Sequence, residues 1–264
     1  MTAANTKWLR MDQPSDLRYA EFARQAEARG IHVDAIIQDW TSPHTPAGIA
    51  AEASAVVTAL APSGVHVYEV LNEQNNGLYT AAEYAAILRA VYPAVKAADP
   101  KATVLFGGLG VGRGLGSGYD AAAYLLDVYA AGGGGYFDAA NFHPYSFPLL
   151  PSQQSLANPW SLLPVLRRLM GANGDAAKPI WITEFGCPTS PTGLYPGVCT
   201  DAQLGQQITN AYATARSATW KPGPLLVYDW QDDASCRDGC FGLYRADGTA
   251  KPAALAAFTG ASES

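Results

Sequence analysis

The sequence predicts an α/β fold, a TIM-type (β/α) barrel of parallel strands, and three observations support this class. Short apolar runs alternate with longer amphipathic or Ala-rich segments, which is the pattern of a parallel sheet with helical crossovers. The chain has 264 residues, of which 48% are hydrophobic, and a barrel core of roughly 250 residues fits this length. No repeat or linker divides the sequence. One catalytic domain spanning residues 1–264 is therefore predicted.

The predicted strands are apolar runs, located at 7–13, 31–38, 65–73, 102–110, 137–145, 179–186 and 224–231. The predicted helices lie at 16–29, 47–62, 80–98, 119–131, 159–172, 201–217 and 252–259. The third helix has a regular apolar face, formed by Tyr84, Ile87, Leu88, Val91 and Val95.

Helix ends are marked by residues that favour them. Gly30 and Gly64 follow predicted helices, where glycine accepts the left-handed conformation. Thr80 precedes the third helix with Glu83 three residues later, which is the spacing of a capping box.

Two glutamates, Glu73 and Glu184, each end an apolar run, and the carboxyl ends of barrel strands are where chemistry collects. Hydrolysis of a glycosidic bond with retention needs one carboxyl group to transfer a proton and another to attack the anomeric carbon, roughly 5 to 5.5 Å apart. A single strand-end glutamate is most often an ordinary solvated residue. As a pair in these contexts, the two indicate catalytic carboxylates.

Four motifs, two of which contain the pair, occur in a fixed order, namely Trp8-Leu9-Arg10-Met11-Asp12, Leu71-Asn72-Glu73-Gln74, His143-Pro144-Tyr145 and Thr183-Glu184-Phe185. With these motifs, nearly the whole chain resembles the retaining glycoside hydrolases of clan A, and most closely family 39 and the family 5-like enzymes. The resemblance implies that Glu73 is the acid/base ending the fourth strand and that Asn72 holds the sugar 2-hydroxyl. It implies that Glu184 is the nucleophile ending the seventh strand.

The same resemblance assigns three supporting residues. Arg10 on the second strand would orient the nucleophile, and His143 and Tyr145 match the His-x-Tyr motif that ends the sixth strand. Tyr145 is expected to donate a hydrogen bond to Glu184, which would favour the ionised carboxylate. Glu69 shares strand parity with Glu73 and is expected to form a structural ion pair inside the barrel.

The chain departs from the family pattern at the acid/base motif. Many relatives read Trp-Asn-Glu-Pro, whereas Leu71 and Gln74 stand here at the outer positions. An aromatic wall and a rigid turn are therefore missing, and the shape of the sugar subsite is expected to differ.

Aromatic and acidic residues complete the predicted substrate site. Tyr228, Asp229 and Trp230 fall on the eighth strand of the family's barrel, and Trp40 lies just beyond an earlier strand end. Trp40, Trp160, Tyr228 and Trp230 are candidates for stacking on sugar rings, with core filling as the alternative for each. Which of Tyr228 and Trp230 faces the sugar stays open.

The strand count follows from the family numbering. If Glu73 ends the fourth strand, 7–13 is the second, and residues 1–6 are too few for a first strand, a helix and their connections. Seven parallel strands are therefore expected, with the gap between 7–13 and 224–231 either closed by direct pairing or left as an open seam. An open seam would invite self-association or cover by upstream sequence.

Charge and hydropathy exclude several partners. The net charge is -6, the sequence pI is about 5.1, and no Lys/Arg-rich run is present, so neither nucleic-acid nor membrane-surface binding is indicated. No apolar stretch reaches the roughly 20 residues of a membrane span, and the first ten residues lack the apolar core of a signal peptide. A neutral oligo- or polysaccharide suits such a surface.

The four cysteines allow three interpretations. Local spacing favours two disulfides, Cys187 with Cys199 and Cys236 with Cys240. Four free thiols and a zinc site are the alternatives, although no Cys-x-x-Cys spacing occurs. Disulfides would indicate an extracellular or cell-envelope location.

A glycine-rich run, 107–116, invites comparison with dinucleotide-binding loops. No stretch of it has the G-x-G-x-x-G spacing, and it does not follow the first strand of the chain. A loop at the rim of the barrel is the preferred interpretation.

The function predicted from these residues is retaining hydrolysis of a β-type glycosidic bond, with no cofactor or metal required. Two alternatives share the fold. A non-catalytic carbohydrate-binding barrel is disfavoured by the presence of Arg10, Asn72 and both glutamates, and mildly favoured by Leu71. A transglycosidase would need the same residues and differ only in the group that attacks the intermediate.

Overall fold

The computed structural model describes residues 4–12, 17–38, 45–112, 120–191, 198–236 and 239–262. Its strands are β1 (Trp8–Met11), β2 (His32–Ile37), β3 (Val67–Asn72), β4 (Thr103–Gly108), β5 (Ala140–Asn141), β6 (Ile180–Ile182) and β7 (Pro222–Leu225). Its α-helices are α1 (Leu17–Glu27), α2 (Pro46–Leu60), α3 (Ala81–Ala98), α4 (Ala121–Ala130), α5 (Leu163–Ala172), α6 (Asp201–Arg216) and α7 (Pro252–Ser262). The strict alternation of strand and helix confirms the predicted α/β class.

All strands pair in parallel with their sequence neighbours. One sheet has the order β1-β2-β3-β4 and a second has the order β5-β6-β7. Two isolated bridges, Leu105 with Ala139 and Leu109 with Phe142, join β4 to the segment around β5. The seven strands therefore follow one another in a single sequential order.

The strand order ends at β1 and β7. Each pairs with one neighbour only, and no backbone pairing joins β7 to β1 within the described residues. Of the two alternatives for the seam, direct pairing is therefore wrong, and the gap between these edge strands is open.

Helix ends agree with the sequence signals. The Thr80 side chain accepts from the Glu83 N–H while the Glu83 carboxylate accepts from the Thr80 N–H, which confirms the capping box of α3. Thr200 and Gln203 form a second capping box at α6. The predicted apolar face of α3 is buried against the sheet side of the molecule.

Buried side chains form two groups. The large group lies between the strands and the surrounding helices and includes the apolar faces of α2, α3 and α6. The small group consists of Val67, Leu105, Ala139 and Trp181, with Trp8 packed against it. The Trp8 and Trp181 rings meet edge to face at 4.8 Å. This second cluster fills the inside of the strand layer beneath the polar residues at the carboxyl ends.

The last three strands are shorter than predicted. β5 has two residues, β6 has three, and β7 begins at Pro222 and ends at Leu225. Beyond β7 the N–H groups of Leu226 and Tyr228 still donate to Ile182 O and Phe185 O, whereas the Asp229 N–H donates to Phe241 O in a rim loop at 3.1 Å. Glu184 and Trp230 consequently stand on irregular segments past their strands. None of the described helices is both long and apolar enough to cross a membrane.

Candidate active site

Glu73 follows β3 directly and has an unusual backbone. Its φ is 47° and that of Leu71 is 64°, a left-handed region that costs energy for residues other than glycine. The Glu73 N–H nevertheless donates to Gly108 O at 2.9 Å, so the turn is held against β4. Its carboxylate accepts from Asn76 Nδ2 at 2.8 Å and remains 31% exposed.

Leu71 and Gln74, which flank Asn72 and Glu73, both lie in the interior. Leu71 is buried rather than forming a cleft wall. Gln74, which replaces the usual proline, is also buried, and its Nε2 donates to Gly107 O at 3.2 Å. A side-chain hydrogen bond thus holds the turn that proline would have stiffened.

Glu184 lies two residues beyond β6, and its side chain is only 12% exposed. Tyr145 Oη donates to Glu184 Oε2 at 2.8 Å, and Arg10 Nη1 binds Glu184 Oε1. Burial alone would raise the pKa of Glu184. The charges of His143 and Arg10, together with the hydrogen bonds from Tyr145 and Arg10, outweigh burial and lower that pKa below its ordinary value. Glu184 is therefore held as a carboxylate.

Arg10 binds two acidic side chains, Glu69 and Glu184. Its Nε and Nη2 donate to the two oxygens of Glu69 at 2.7 and 2.9 Å, a bidentate pair, and Nη2 also donates to Asn72 Oδ1 at 2.9 Å. Glu69 is fully buried, and its Oε1 accepts from the Gly108 N–H at 2.8 Å. The placement of Glu69 matches the ion-pair interpretation. The arrangement fixes both Asn72 and Glu184 through one guanidinium group.

His143 lies between the glutamates and is fully buried. Its Nδ1 is 3.3 Å from Glu73 Oε1 and 3.6 Å from Glu184 Oε2, and its Nε2 is 2.9 Å from Thr183 Oγ1. Burial lowers the pKa of His143, but the negative charges of Glu184 and Glu73 raise it above its ordinary value. A Cβ at position 108 would stand 2.0 Å from His143 Nε2, so glycine is required there.

The two carboxylates are close to each other. One oxygen of Glu73, one oxygen of Glu184 and a ring nitrogen of His143 all lie within 4.8 Å of one another. Three such atoms could also ligate a metal ion. The direct ion pairs and hydrogen bonds described above already account for the orientation of the first group.

The other predicted substrate residues form one wall of the cavity. Tyr228, Asp229 and Trp230 line the same cavity as the two glutamates. Burial raises the pKa of Asp229. The Tyr228 ring packs on Phe241 at 5.4 Å, and Trp230 packs on Tyr244 at 5.0 Å. Trp40 lies outside the described residues.

Four polar residues in the site were not predicted. Asn76 binds Glu73, and Thr183 links His143 to Asn141, whose Nδ2 donates to Thr183 Oγ1 at 2.7 Å. Asp34, inside β2, is fully buried near Arg10. The sequence held a signal for Asp34, since it is the one acid in the run His-Val-Asp-Ala-Ile-Ile.

Both predicted disulfides are present, Cys187 with Cys199 and Cys236 with Cys240. The two cross-linked loops are also joined to each other, because Thr189 Oγ1 donates to Cys240 O at 2.7 Å. The rim loop that follows Glu184 is therefore tied to the loop that follows the Tyr228-Trp230 segment.

No family model matches the sequence, and no curated protein matches it. Solved structures do. A family 39 glycoside hydrolase from the gut symbiont Bacteroides cellulosilyticus WH2 aligns with a TM-score of 0.77 and 22% identity over 98% of this chain and 58% of its own. The fold is that of TIM-type glycoside hydrolases. The chain thus spans a little over half the length of that enzyme.

Two further relatives have similar lengths to this chain. A family 128 (subgroup II) endo-β-1,3-glucanase from Sorangium cellulosum aligns with a TM-score of 0.64 and 20% identity over 97% of this chain and 91% of its own. A structure from work on two fungal β-1,4-galactanases aligns with a TM-score of 0.70 and 16% identity over 98% of this chain and 89% of its own. These likenesses confirm the resemblance to clan A glycoside hydrolases at the level of fold.

Proposed function

We propose that this protein is a retaining glycoside hydrolase that cleaves a β-type glycosidic bond in an oligo- or polysaccharide. Glu184 is the nucleophile and Glu73 the acid/base. The observation that carries the proposal is the closeness of two carboxylates in contrasting surroundings: their nearest oxygens lie within 4.8 Å, one group is buried among donors, and the other is partly exposed. Inverting pairs stand roughly 6.5 to 9.5 Å apart, so this spacing supports retention.

In the first step, a carboxylate oxygen of Glu184 attacks the anomeric carbon while Glu73 transfers its proton to the departing oxygen. The bond from the anomeric carbon to that oxygen breaks, and a glycosyl-enzyme forms. Neutralising Glu184 in this ester removes a negative charge beside Glu73 and His143. Glu73 can then accept a proton from the water that attacks the intermediate and frees Glu184.

The neighbouring groups fit these roles. The charge of Arg10 and the hydroxyl of Tyr145 stabilise Glu184 as an anion before attack. Asn72, with its amide oxygen engaged by Arg10, is held at the mouth beside Glu73 and suits a sugar hydroxyl. The greater exposure of Glu73 suits a group that must meet both leaving group and water.

The substrate class, architecture and location are part of the same proposal. The related structures include an endo-β-1,3-glucanase, two β-1,4-galactanases and an exo-β-1,4-mannosidase, which supports a β-linked substrate here. Residues 1–264 are proposed to form a single catalytic domain. Two disulfides support an extracellular or cell-envelope location.

The test is turnover of aryl β-glycosides and of a panel of cell-wall and plant polysaccharides, with products sized by mass and their anomeric configuration followed by proton NMR. Retained configuration is expected. Adding acceptor sugars separates hydrolysis from transglycosylation. An inverted product, or binding without turnover of any member of the panel, would contradict the proposal.

A further inference from the structure

A buried ion pair, Lys251 with Asp232, joins the loops at the rim of the cavity. The two side chains are only 2% and 3% exposed, and Lys251 Nζ is 3.0 Å from Asp232 Oδ2. Neither residue lines the cavity, and no step of the proposed reaction uses them. Removing two charges from water costs free energy, which their attraction offsets only when further hydrogen bonds satisfy both groups. The other partners of the pair therefore show what it holds in place.

The ammonium group of Lys251 has an acceptor for each of its three N–H groups. Besides Asp232, it donates to Thr189 Oγ1 at 2.8 Å and to Cys240 O at 2.9 Å. Thr189 belongs to the loop that follows Glu184, and Cys240 to the loop that follows the Tyr228-Trp230 segment. Both rim loops thus meet at one ammonium group at the start of α7.

The ion pair binds the backbone on both sides of Phe241. Cys240 O, directly before it, accepts from Lys251 Nζ at 2.9 Å. The Gly242 N–H, directly after it, donates to Asp232 Oδ1 at 2.6 Å. A Cβ at position 242 would stand 2.7 Å from that same oxygen, so this close approach requires glycine. The two charged groups therefore fix the position of Phe241.

Phe241 faces the active site. Its side chain is buried and lines the cavity. Its ring meets the ring of Tyr145 at 5.6 Å and that of Tyr228 at 5.4 Å. A Cβ at Gly186 would stand 3.3 Å from Phe241 Cδ1, so the ring also lies against the backbone just past Glu184. Phe241 thus contacts both the ring of Tyr145 and the segment that carries Glu184.

Tyr145 needs such support from side chains. It lies on an irregular segment beyond β5, so no strand pairing holds it. Its hydroxyl nevertheless donates to Glu184 Oε2 at 2.8 Å. A hydrogen bond weakens steeply when its angle departs from linear. A small rotation of the Tyr145 ring, allowed by a displaced Phe241, would therefore weaken the bond to Glu184.

We infer that Lys251 and Asp232 are positioning residues of the active site: they hold Phe241 in place, and Phe241 keeps the Tyr145 hydroxyl on Glu184. The inference rests on the proposed function, because it gives the pair a part in preparing the nucleophile. The pair acts through two aromatic rings and contacts no reacting atom.

The first experiment replaces both charges together, as Lys251→Met with Asp232→Leu. Apolar residues of similar volume often replace a buried ion pair without loss of stability, whereas a single substitution would leave one charge buried alone. The net charge is also unchanged. We expect the acidic limb of the kcat/KM profile to move to higher pH, by no more than in Tyr145→Phe, because Glu184 loses the same donor.

The matched control is Lys178→Met with Asp175→Leu. This lysine and aspartate also form a largely buried pair, 2.7 Å apart, and neither lines the cavity. The control should leave the acidic limb where it is in the wild type. Equal shifts in the two double variants would overturn the inference, because any disturbed ion pair would then have the same effect.

A second experiment separates positioning from a general disturbance of the fold. Adding Lys251→Met and Asp232→Leu to Tyr145→Phe should move the acidic limb no further, because the bond to Glu184 is already absent. Phe241→Leu, which leaves the ion pair intact, should reproduce the shift alone. Additive shifts in the combined variant, or an unshifted limb in Phe241→Leu, would overturn the inference.

A titration followed by ¹³C NMR tests the inference without turnover. The carboxyl carbon of Glu184 is assigned by its loss in Glu184→Gln, and its pKa should rise in the Lys251 and Asp232 double variant but not in the control. Arg10, His143 and Glu73 also face Glu184 and are unchanged in all of these variants. A raised pKa in a protein that cleaves no glycoside removes the proposed function and leaves the positioning of Tyr145. Turnover with an unshifted Glu184 does the reverse.

Discussion

Tyr145 donates its phenolic hydrogen bond to Glu184 Oε2 at 2.8 Å. Burial, followed by the negative charge of Glu184, holds the pKa of Tyr145 well above its ordinary value, so the hydroxyl stays protonated and can only donate in this pair. The same bond is one of the causes that lower the pKa of Glu184. Each residue therefore fixes the protonation state of the other.

Replacing Tyr145 by phenylalanine should move the acidic limb of the kcat/KM profile. Glu184 acts as an anion, and loss of the hydrogen bond that Tyr145 donates to it raises its pKa. The acidic limb of Tyr145→Phe should thus shift to higher pH, with little change near pH 8. Tyr129→Phe is the matched control, because Tyr129 donates to Asp175 at the same 2.8 Å outside the cavity. An unshifted limb would exclude Tyr145 from this role.

Replacing Glu184 by glutamine should abolish turnover even of aryl glycosides with good leaving groups. Among the described residues no other carboxylate lies beside both Arg10 and Tyr145, and an amide cannot form the covalent intermediate. Mass spectrometry with a slow, activated 2-fluoro glycoside should show a covalent adduct at Glu184 in the wild type and none in the variant. An adduct at another residue would reassign the nucleophile.

The effect on turnover of replacing Glu73 by alanine should depend on the substrate. Poor leaving groups need the proton, so their hydrolysis should fall by about 10²–10⁴-fold, whereas activated aryl glycosides should still form the intermediate. Azide, which needs no general base, should restore turnover and yield a β-glycosyl azide. The product configuration is read by proton NMR, and an α-azide would argue against retention.

Replacing Arg10 by lysine should destabilise the fold as well as the site. A single ammonium cannot bind both oxygens of Glu69 together with Asn72 and Glu184. Because Glu69 is fully buried, we expect the free energy of unfolding to fall by up to about 3–5 kcal/mol in urea titrations. Arg24→Lys is the control: Arg24 pairs with Glu21 in a similar bidentate manner on the exposed face of α1. An equal loss in both variants would show that burial of Glu69 is not the cause.

Much of the fold was readable from sequence because its signals are local. The capping box at Thr80 and Glu83 and the period of α3 depend on neighbours within a few residues. The bounds predicted for the strands after β4 were too long. Asp229, for example, donates its N–H to Phe241 O in a rim loop rather than to a neighbouring strand. The choice of a backbone N–H between two possible acceptors leaves no pattern in the local sequence.

The candidate-site residues that could be identified from the sequence are those in short motifs. Arg10, Asn72, Glu73, His143 and Glu184 are all within one connected network. The supporting shell was missed, because its members act only through spatial contacts.

Asn76, for example, binds Glu73 across a turn whose left-handed backbone the sequence does not announce. Thr183 precedes Glu184, yet its contacts are with the distant residues Asn141 and His143.

Asp34 provides the last prediction. It is fully buried inside β2, opposite Arg10 in the strand register, and burial followed by the charge of Glu69 raises its pKa well above the ordinary value. The folded protein therefore binds a proton at Asp34 that the unfolded chain releases above about pH 4. Stability is lost as pH rises from that value towards the raised pKa of the folded state. Asparagine mimics the neutral acid, so Asp34→Asn should gain stability over wild type at pH 8 and little at pH 4. Melting temperatures across this range measure the difference, with Asp127→Asn on the exposed face of α4 as control. A gain that is equal at both pH values would show that Asp34 is ionised in the folded protein.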